Sequence, residues 1–591
     1  MQLNPWALVG VGLVMAAASY LGRRTSQFAR PTDDFLVARR MVRSRRNASA
    51  ISGEYLCAAS VLGVSGLVLK DGADALWYPI GFTAGFLALG VFVAAPLRRS
   101  GAYTIPDFVE ARLGSAGLRR TSTCFVLALG LVYLVPQLQG VNLALTAIAP
   151  GAEAWWGPVA VIVLLVVNIV WGGMRAATLV QAFHHWIKLF ALAIPAFFLC
   201  AVFLGSGGSG ATGGLGDEAP PEFTEETTVT VRTDVVLHVG EPTTVHALDR
   251  EPAGPRLWSP GVDYPVREGE RLLFPAASDV PVVSDAATDN ASWLRPTEDG
   301  DEVWWTYSVI VATFLGTMGL PHVLARFYTN PDGRAARRTT VQVLLLVGLF
   351  YLFPILLGAL SRLYVPELLV TGETDAAVLR VPTAMLPGVA GQLVVAVLAA
   401  GAFTAFVSTS SGLLVSVAGM VATDLLWNRT RDFAIAVVVV AGVATAGAVV
   451  LPLDDLVHTV GLAFALAAST FCPLLLLGIW WRRLTWVGAL LGMLVGGLGV
   501  LTAIGFHVAS RLTGTDVPWF VTQPALLTVP AALLTTVIVS LATARRVPGD
   551  VDVVMLQLHA PDHLGFMRDE STRSRSGGAL DADASGRHRS L

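Results

Sequence analysis

Stretches of about 20 apolar residues, enough to cross the hydrocarbon core of a bilayer, recur along this chain. Their spacing predicts about thirteen spans, near 5–21, 50–69, 75–97, 122–149, 156–173, 177–204, 305–325, 340–362, 389–423, 433–451, 455–481, 484–508 and 519–543. The pattern is interrupted over 205–304. There a Gly/Ser run at 205–216 leads into Thr227-Thr228-Val229-Thr230-Val231-Arg232 and Val235-Val236-Leu237-His238-Val239, whose alternation and β-branched content predict strands. Beyond 547 the chain turns polar, and after 570 it is rich in Ser, Arg, Gly and Asp, a composition that buries no core.

Arginine orients the spans. Arg23, Arg24, Arg30, Arg39, Arg40, Arg43, Arg45 and Arg46 follow the first, and Arg98, Arg99, Arg112, Arg119 and Arg120 follow the third. Arg175, Arg326, Arg334, Arg337, Arg338, Arg429, Arg431, Arg482, Arg483, Arg545 and Arg546 fall in later alternate connections. With alternating spans all lie on one side, and arginine excess marks the cytoplasm. The expectation is a multi-pass protein of the plasma membrane, N-terminus outside and C-terminus inside. Its divisions are 1–49 (first span and Arg-rich loop), 50–204 (first half of a core), 205–304 (acidic external insert), 305–481 (second half), 482–546 (two further spans) and 547–591 (disordered tail). Pro5 opens a first span that reads as retained, since no charged n-region or cleavage site accompanies it.

Composition agrees. Of 591 residues 54% are hydrophobic and 14% charged, which excludes an ordinary soluble protein. The net charge of −3 adds little. Cys57, Cys124, Cys200 and Cys472 all lie in apolar segments, as small hydrophobes do. No phosphate loop, nucleophile triad, zinc spacing or basic aromatic patch for nucleic acid is present, so neither an enzyme nor a nucleic-acid binder is expected.

Two apolar stretches carry residues a lipid-facing helix does not need. The run 50–66 holds Gly53, Gly63, Gly66, small hydroxyls and the carboxylate of Glu54. Glycines and hydroxyls permit a local break that frees carbonyls for an ion, and they also permit close helix packing. The run 399–412 holds Ser408, Thr409, Ser410 and Ser411 in succession. One turn brings the Ala405 carbonyl and the hydroxyls of Ser408 and Thr409 together, and such oxygens suit a hard cation. The plainer alternative is that these hydroxyls bond back to their own helix.

With these motifs the chain resembles the sodium:solute symporter family. Gly53-Glu54-Tyr55-Leu56-Cys57-Ala58-Ala59-Ser60, Gly316-Thr317-Met318-Gly319-Leu320-Pro321-His322 and Val460-Gly461-Leu462-Ala463-Phe464-Ala465 look most like its cation/acetate symporter branch. The resemblance covers roughly 1–545 without the insert. It implies an all-α polytopic membrane protein whose core is two five-helix inverted repeats, on spans two to six and seven to eleven, with broken helices. It implies Na⁺ as coupling ion, held by the carbonyls of Gly53, Leu56 and Ala405 and the hydroxyls of Ser408 and Thr409. Several sodium-coupled relatives have Asp where this chain has Gln181, so a second acidic ion contact is in doubt.

Glu54 and Gln181 are the coupling candidates, since an intramembrane carboxylate is costly without a role. The alternative for Glu54 is a wet vestibule near the helix end. His184, His185 and Lys188 are expected to snorkel towards the cytoplasm. Tyr55, Ser60, Gln137 and Thr317 are candidate substrate residues, with Gln139, His322, Ser469 and Thr470 beside them. Each alone also fits interhelical hydrogen bonding. No arginine is expected at the midplane. Pro321 is expected to mark a bend. Asp107 and Glu110 are expected to pair around Arg112.

The function this implies is sodium-coupled import of a small monocarboxylate such as acetate, propionate or pyruvate by alternating access. Alternatives are a sodium or proton symporter for proline, pantothenate or another small polar solute, or a transporter-like sensor. One Na⁺ with one monoanion moves no net charge, whereas a second cation adds about 2.3 kcal/mol per 100 mV.

Overall fold

The computed structural model describes residues 3–564 except 27–41, 154, 209–218, 250–254, 285, 298–299, 427–429, 452–454 and 516. Arg30, Arg39, Arg40 and Arg429, most of the Gly/Ser run and the end of the tail lie outside the described residues. The longer helices are α1 (Pro5–Ser26), α2 (Ser44–Tyr55), α3 (Val64–Asp71, entered through a π-helical turn at Ala59–Gly63), α4 (Trp77–Phe92), α5 (Ala116–Ile148), α6 (Trp156–Gly205) and α7 (Asp301–Thr317). They continue with α8 (Pro321–Phe327), α9 (Gly333–Tyr364), α10 (Val389–Asp424), α11 (Thr430–Val450), α12 (Leu456–Trp480), α13 (Trp486–Thr513) and α14 (Ala525–Ala542). Among the described residues ten helices are long and apolar enough to cross a membrane, or eleven with the bent pair α2/α3 taken as one span. Shorter apolar helices stand at Pro5–Tyr20 and Trp156–Val170, where the first and fifth spans were expected. The expected fifth and sixth spans belong to one helical element, α6.

Burial separates centre from rim. The apolar window of α12 is 89% buried, whereas those of α11 and α14 are 28% buried, so α12 forms the middle of the bundle and the other two its lipid-facing edge. Among the described residues two membrane-length helices are interrupted, at the start of each of the two halves expected from the sequence. Between α2 and the turn that begins at Ala59 the axis bends by 76°. Leu56 there is extended, with φ −73° and ψ 101°. Between α7 and α8, Leu320 is extended too (φ −73°, ψ 111°), and Pro321 starts the new segment at the position where its missing N–H does no harm.

The insert adds β-structure to the otherwise helical chain. Strands β1 (Thr227–Thr230), β2 (Val235–His238), β3 (Thr243–Ala247), β4 (Pro255–Trp258), β5 (Asp263–Val266), β6 (Arg271–Phe274) and β7 (Val282–Val283) form antiparallel sheets ordered β1-β6-β3-β4 and β5-β2-β7. Val229, Leu237, Val245, Leu272 and Phe274 fill its interior. The module is clamped to the end of α3. Trp293 donates to the Val68 carbonyl at 2.6 Å, and Arg362 donates to Asn290 and to the carbonyls of Leu69 and Ala287. Gly72, at φ +56°, lies against Trp293 where a side chain would collide with it.

The pairing expected around Arg112 is built differently. Arg119 is the hub, at 2.7 Å from Asp107, 2.6 Å from Glu110 and 2.6 Å from Asp424. Arg112 instead donates to the carbonyls of Gly478 and Trp481 at the end of α12. A helix end leaves carbonyls free, and a long buried guanidinium satisfies them.

Candidate functional site

The break after α2 is the centre of the molecule. Gly53, Gly63 and Gly66 do not cause it, since none has positive φ. Each permits close approach. A Cβ on Gly53 would meet the Gln181 carbonyl and stand 3.3 Å from the His185 Cβ, and one on Gly66 would stand 2.8 Å from the Asp375 nitrogen. The irregular residues are Leu56 and Cys57, where the helix ladder stops and carbonyls are left over.

Helix α10 supplies partners for those carbonyls. Ser408 donates to the Gly53 carbonyl at 2.6 Å. Thr409 donates to the Glu54 carbonyl at 2.7 Å and to that of Leu56 at 3.4 Å. Ala405 lies in the unbroken part of α10, where carbonyls belong to the helix ladder. The two stretches singled out by composition therefore meet, and Ser408 and Thr409 reach across rather than back.

A third element reaches the same place. Lys188 of α6 extends its ammonium to 2.5 Å from the Gly53 carbonyl and 2.6 Å from that of Leu56. It is fully buried and does not snorkel to an interface. His184 and His185 are buried as well, and their ring nitrogens have no hydrogen-bond partner among the described residues. Two of the five oxygens expected to hold Na⁺, the carbonyls of Gly53 and Leu56, thus bind an ammonium. A sodium ion on the same two carbonyls would stand about 3 Å from it, a repulsion of about 5 kcal/mol at an effective dielectric of about 20. With Lys188 in this position the residues present do not fit a sodium ion.

Glu54 lies in no wet vestibule. Its carboxylate receives Arg326 Nε at 2.7 Å, with side-chain exposures of 1% and 2%. Arg326 also donates to Gln181 Oε1, so both coupling candidates converge on one guanidinium. The backbone of Arg326 accepts from Asn47 at 2.9 Å, which locks α2 to α8. Gly412 leaves room for the carboxylate, because a Cβ there would stand 2.5 Å from the Glu54 Cγ. Arg326, expected among the cytoplasmic arginines, is instead buried inside the protein. The available signal was Glu54 itself, since a buried carboxylate in a membrane requires a cationic partner.

The candidate substrate residues gather around the break. Tyr55 donates to the Phe82 carbonyl at 2.9 Å and lies 3.1 Å from the Thr317 hydroxyl. Ser60 lies 2.9 Å from the Tyr351 hydroxyl. Gln137 accepts from the Ala58 N–H at 2.9 Å, and its Nε2 has no partner among the described residues. Aromatic rings enclose them: Phe82 and Phe464 at 4.6 Å, Tyr55 and Phe86 at 4.8 Å, Tyr133 and His322 at 5.4 Å. Tyr351, Phe82 and Phe464 carry no mark in the sequence that separates them from ordinary core aromatics. Gln139, by contrast, bonds the Leu451 carbonyl, and Ser469 bonds Thr528, so these two join helices elsewhere.

Comparison with known proteins agrees with this architecture. The family model described as "Sodium:solute symporter family" matches residues 35–228 and 283–496. A monocarboxylic acid transporter of Corynebacterium glutamicum is 26% identical over 548 residues, covering 89% of each chain. Uncharacterised symporters of Bacillus subtilis and Cupriavidus necator are 26% and 28% identical, covering 84% and 87% of this chain and 84% and 88% of their own. Among solved structures, a Na⁺-coupled sialic acid symporter in a substrate-bound outward-open state superposes with a TM-score of 0.62 at 13% identity, covering 91% of this chain and 97% of that one.

Proposed function

The chain belongs to the sodium:solute symporter family, a family of transporters and not of enzymes, and on that premise we propose that it imports a small monocarboxylate by alternating access. The observation that carries the reading is the polar set held inside an aromatic enclosure at the α2/α3 break: Tyr55 with Thr317, Ser60 with Tyr351, and Gln137 with the Ala58 N–H. The first N–H groups of the segment that begins at Ala59 have no intrahelical acceptor, and they carry partial positive charge suited to a carboxylate. The unpartnered Gln137 Nε2 is one more donor. Few polar groups inside an aromatic surround suit a small solute with one carboxylate, such as acetate, propionate or pyruvate, better than a solute with many polar groups. A full-length relative bears the name of a monocarboxylic acid transporter.

The driving force in this reading is a cation gradient, sodium or proton. In this reading the protein lies in the plasma membrane with the N-terminus and the insert outside and the C-terminus in the cytoplasm, an orientation supported by the arginine-rich segments after the first and third expected spans. The interrupted helices of the two halves, joined through Glu54 and Arg326, are the elements that rearrange between the two access states.

The test is uptake of radiolabelled acetate into proteoliposomes, with unlabelled propionate, pyruvate, proline and pantothenate as competitors. Saturable uptake suppressed by the monocarboxylates, and lost in Gln137→Ala, is the expected result. Folded protein that takes up proline or pantothenate but no acetate would overturn the substrate assignment.

A further inference from the structure

We propose that Lys188 is a built-in cation standing in sodium's place, so that this chain completes its cycle without taking a sodium ion at the α2 break. The inference deepens the transport reading above, but it stands on its own geometry. The Lys188 ammonium lies 2.5 Å from the Gly53 carbonyl and 2.6 Å from that of Leu56, two of the five oxygens expected to hold a sodium ion. Ammonium and sodium make the same demand, oxygen lone pairs at the negative end of a helix, and here a lysine from a neighbouring helix meets it.

Three further observations support the assignment. First, the hydroxyls of Ser408 and Thr409 donate their protons to the Gly53 and Glu54 carbonyls, so they act here as donors to the broken helix rather than as ion ligands. Second, no carboxylate is in direct contact with the Lys188 ammonium among the described residues. The Glu54 charge is near enough to act on it, but that carboxylate is held by Arg326, and Cys57, His184 and His185 are the other ionisable groups around it. A buried ammonium is costly in a membrane. Here the carbonyls of the broken helix serve as its counter-charge, which makes it part of the break rather than a stray charge. Third, Gly53 brings the backbones of α2 and α6 into contact at Gln181, which sets the distance Lys188 spans. A tethered cation cannot leave with the solute. The choice between sodium and proton, open in the sequence, therefore turns towards the proton.

The experiment uses the purified full-length protein and needs no knowledge of the solute. Thermal unfolding is followed in NaCl, KCl and choline chloride at equal ionic strength, for wild type, Lys188→Ala and Lys188→Met. The same is done for Lys188→Ala combined with Ser408→Ala and Thr409→Val. Wild type is expected to unfold at the same temperature in all three salts. Lys188→Ala empties the centre, so sodium alone should raise its midpoint by at least about 3 °C, saturably, and the added hydroxyl substitutions should abolish the gain. Lys188→Met, which fills the volume without charge, should unfold independently of the salt and shows whether the position tolerates change. Saturable stabilisation of wild type by sodium, lost in Ser408→Ala, would overturn the proposal. So would a folded Lys188→Ala protein that gains nothing from sodium. Failure of acetate uptake would count against the substrate reading alone, since this readout involves no solute.

Discussion

The ion pair between Glu54 and Arg326 joins the two interrupted helices, and its removal should be felt by the whole bundle. The atoms lie 2.7 Å apart, and both side chains are almost wholly buried. Taking the charge centres as about 4 Å apart and the effective dielectric as about 20, the attraction is about 4 kcal/mol. Arg326→Met strands the carboxylate beside Gly412 and takes the partner from Gln181 Oε1. Losing one member of a buried pair costs about 3–5 kcal/mol, whereas replacing both with uncharged groups of similar size is often close to neutral. Arg326→Met and Glu54→Gln should therefore each destabilise strongly, and the double variant should recover at least about 2 kcal/mol of their sum. The assay is unfolding by sodium dodecyl sulfate in mixed micelles, followed by tryptophan fluorescence, for wild type, both single variants and the double. Additivity within about 0.5 kcal/mol would mean that the two charges do not couple, and the reasoning would fail.

Other consequences follow from single contacts. Gly53→Ala places a methyl group against the Gln181 carbonyl, so it should cost about 1–3 kcal/mol and lower uptake, whereas Gly505→Ala, with nothing within 4 Å, should change neither. Trp293→Ala removes the bond to the Val68 carbonyl and the ring beneath Arg362. It should cost about 3 kcal/mol and speed hydrogen exchange in β1–β7 before it affects the membrane helices. Asp562 is itself raised by burial, but the hydrogen bond and charge of Arg99 outweigh this and leave its carboxyl below the usual value of 3.8. A depressed carboxyl contributes stability above its unfolded value and loses it as pH falls. Asp562→Asn should therefore loosen Val551–His559 at pH 7, seen as faster amide exchange than in wild type, and the difference should shrink at about pH 3.

Much of this molecule is legible along the chain. Apolar run length is a local property, so the spans, the β-structured insert and the loss of pattern at 205–304 could be marked directly. The hydroxyl run at 408–411 was conspicuous because four polar residues inside an apolar helix require partners, and two of them find theirs at Gly53 and Glu54. Glu54 announced itself for the same reason. The glycines were harder to assign. Gly53, Gly63 and Gly66 are equally compatible with an unwound backbone and with close packing, and only the neighbouring helices show that packing is their work.

What the sequence alone determined is therefore where polar groups stand within apolar segments, because desolvation acts residue by residue. What the tertiary structure decided is which of them meet. Lys188 could have snorkelled to an interface along its own helix, and Arg326 could have remained among the loop arginines. Both outcomes depend on how α6 and α8 are rotated and how closely they approach α2, which no local pattern encodes. Four-carbon and guanidinium side chains reach several ångströms in any direction, so their destinations follow from the packing of helices. That packing, through Gly53 against Gln181 and Gly412 against Glu54, puts an ammonium where a sodium ion was expected.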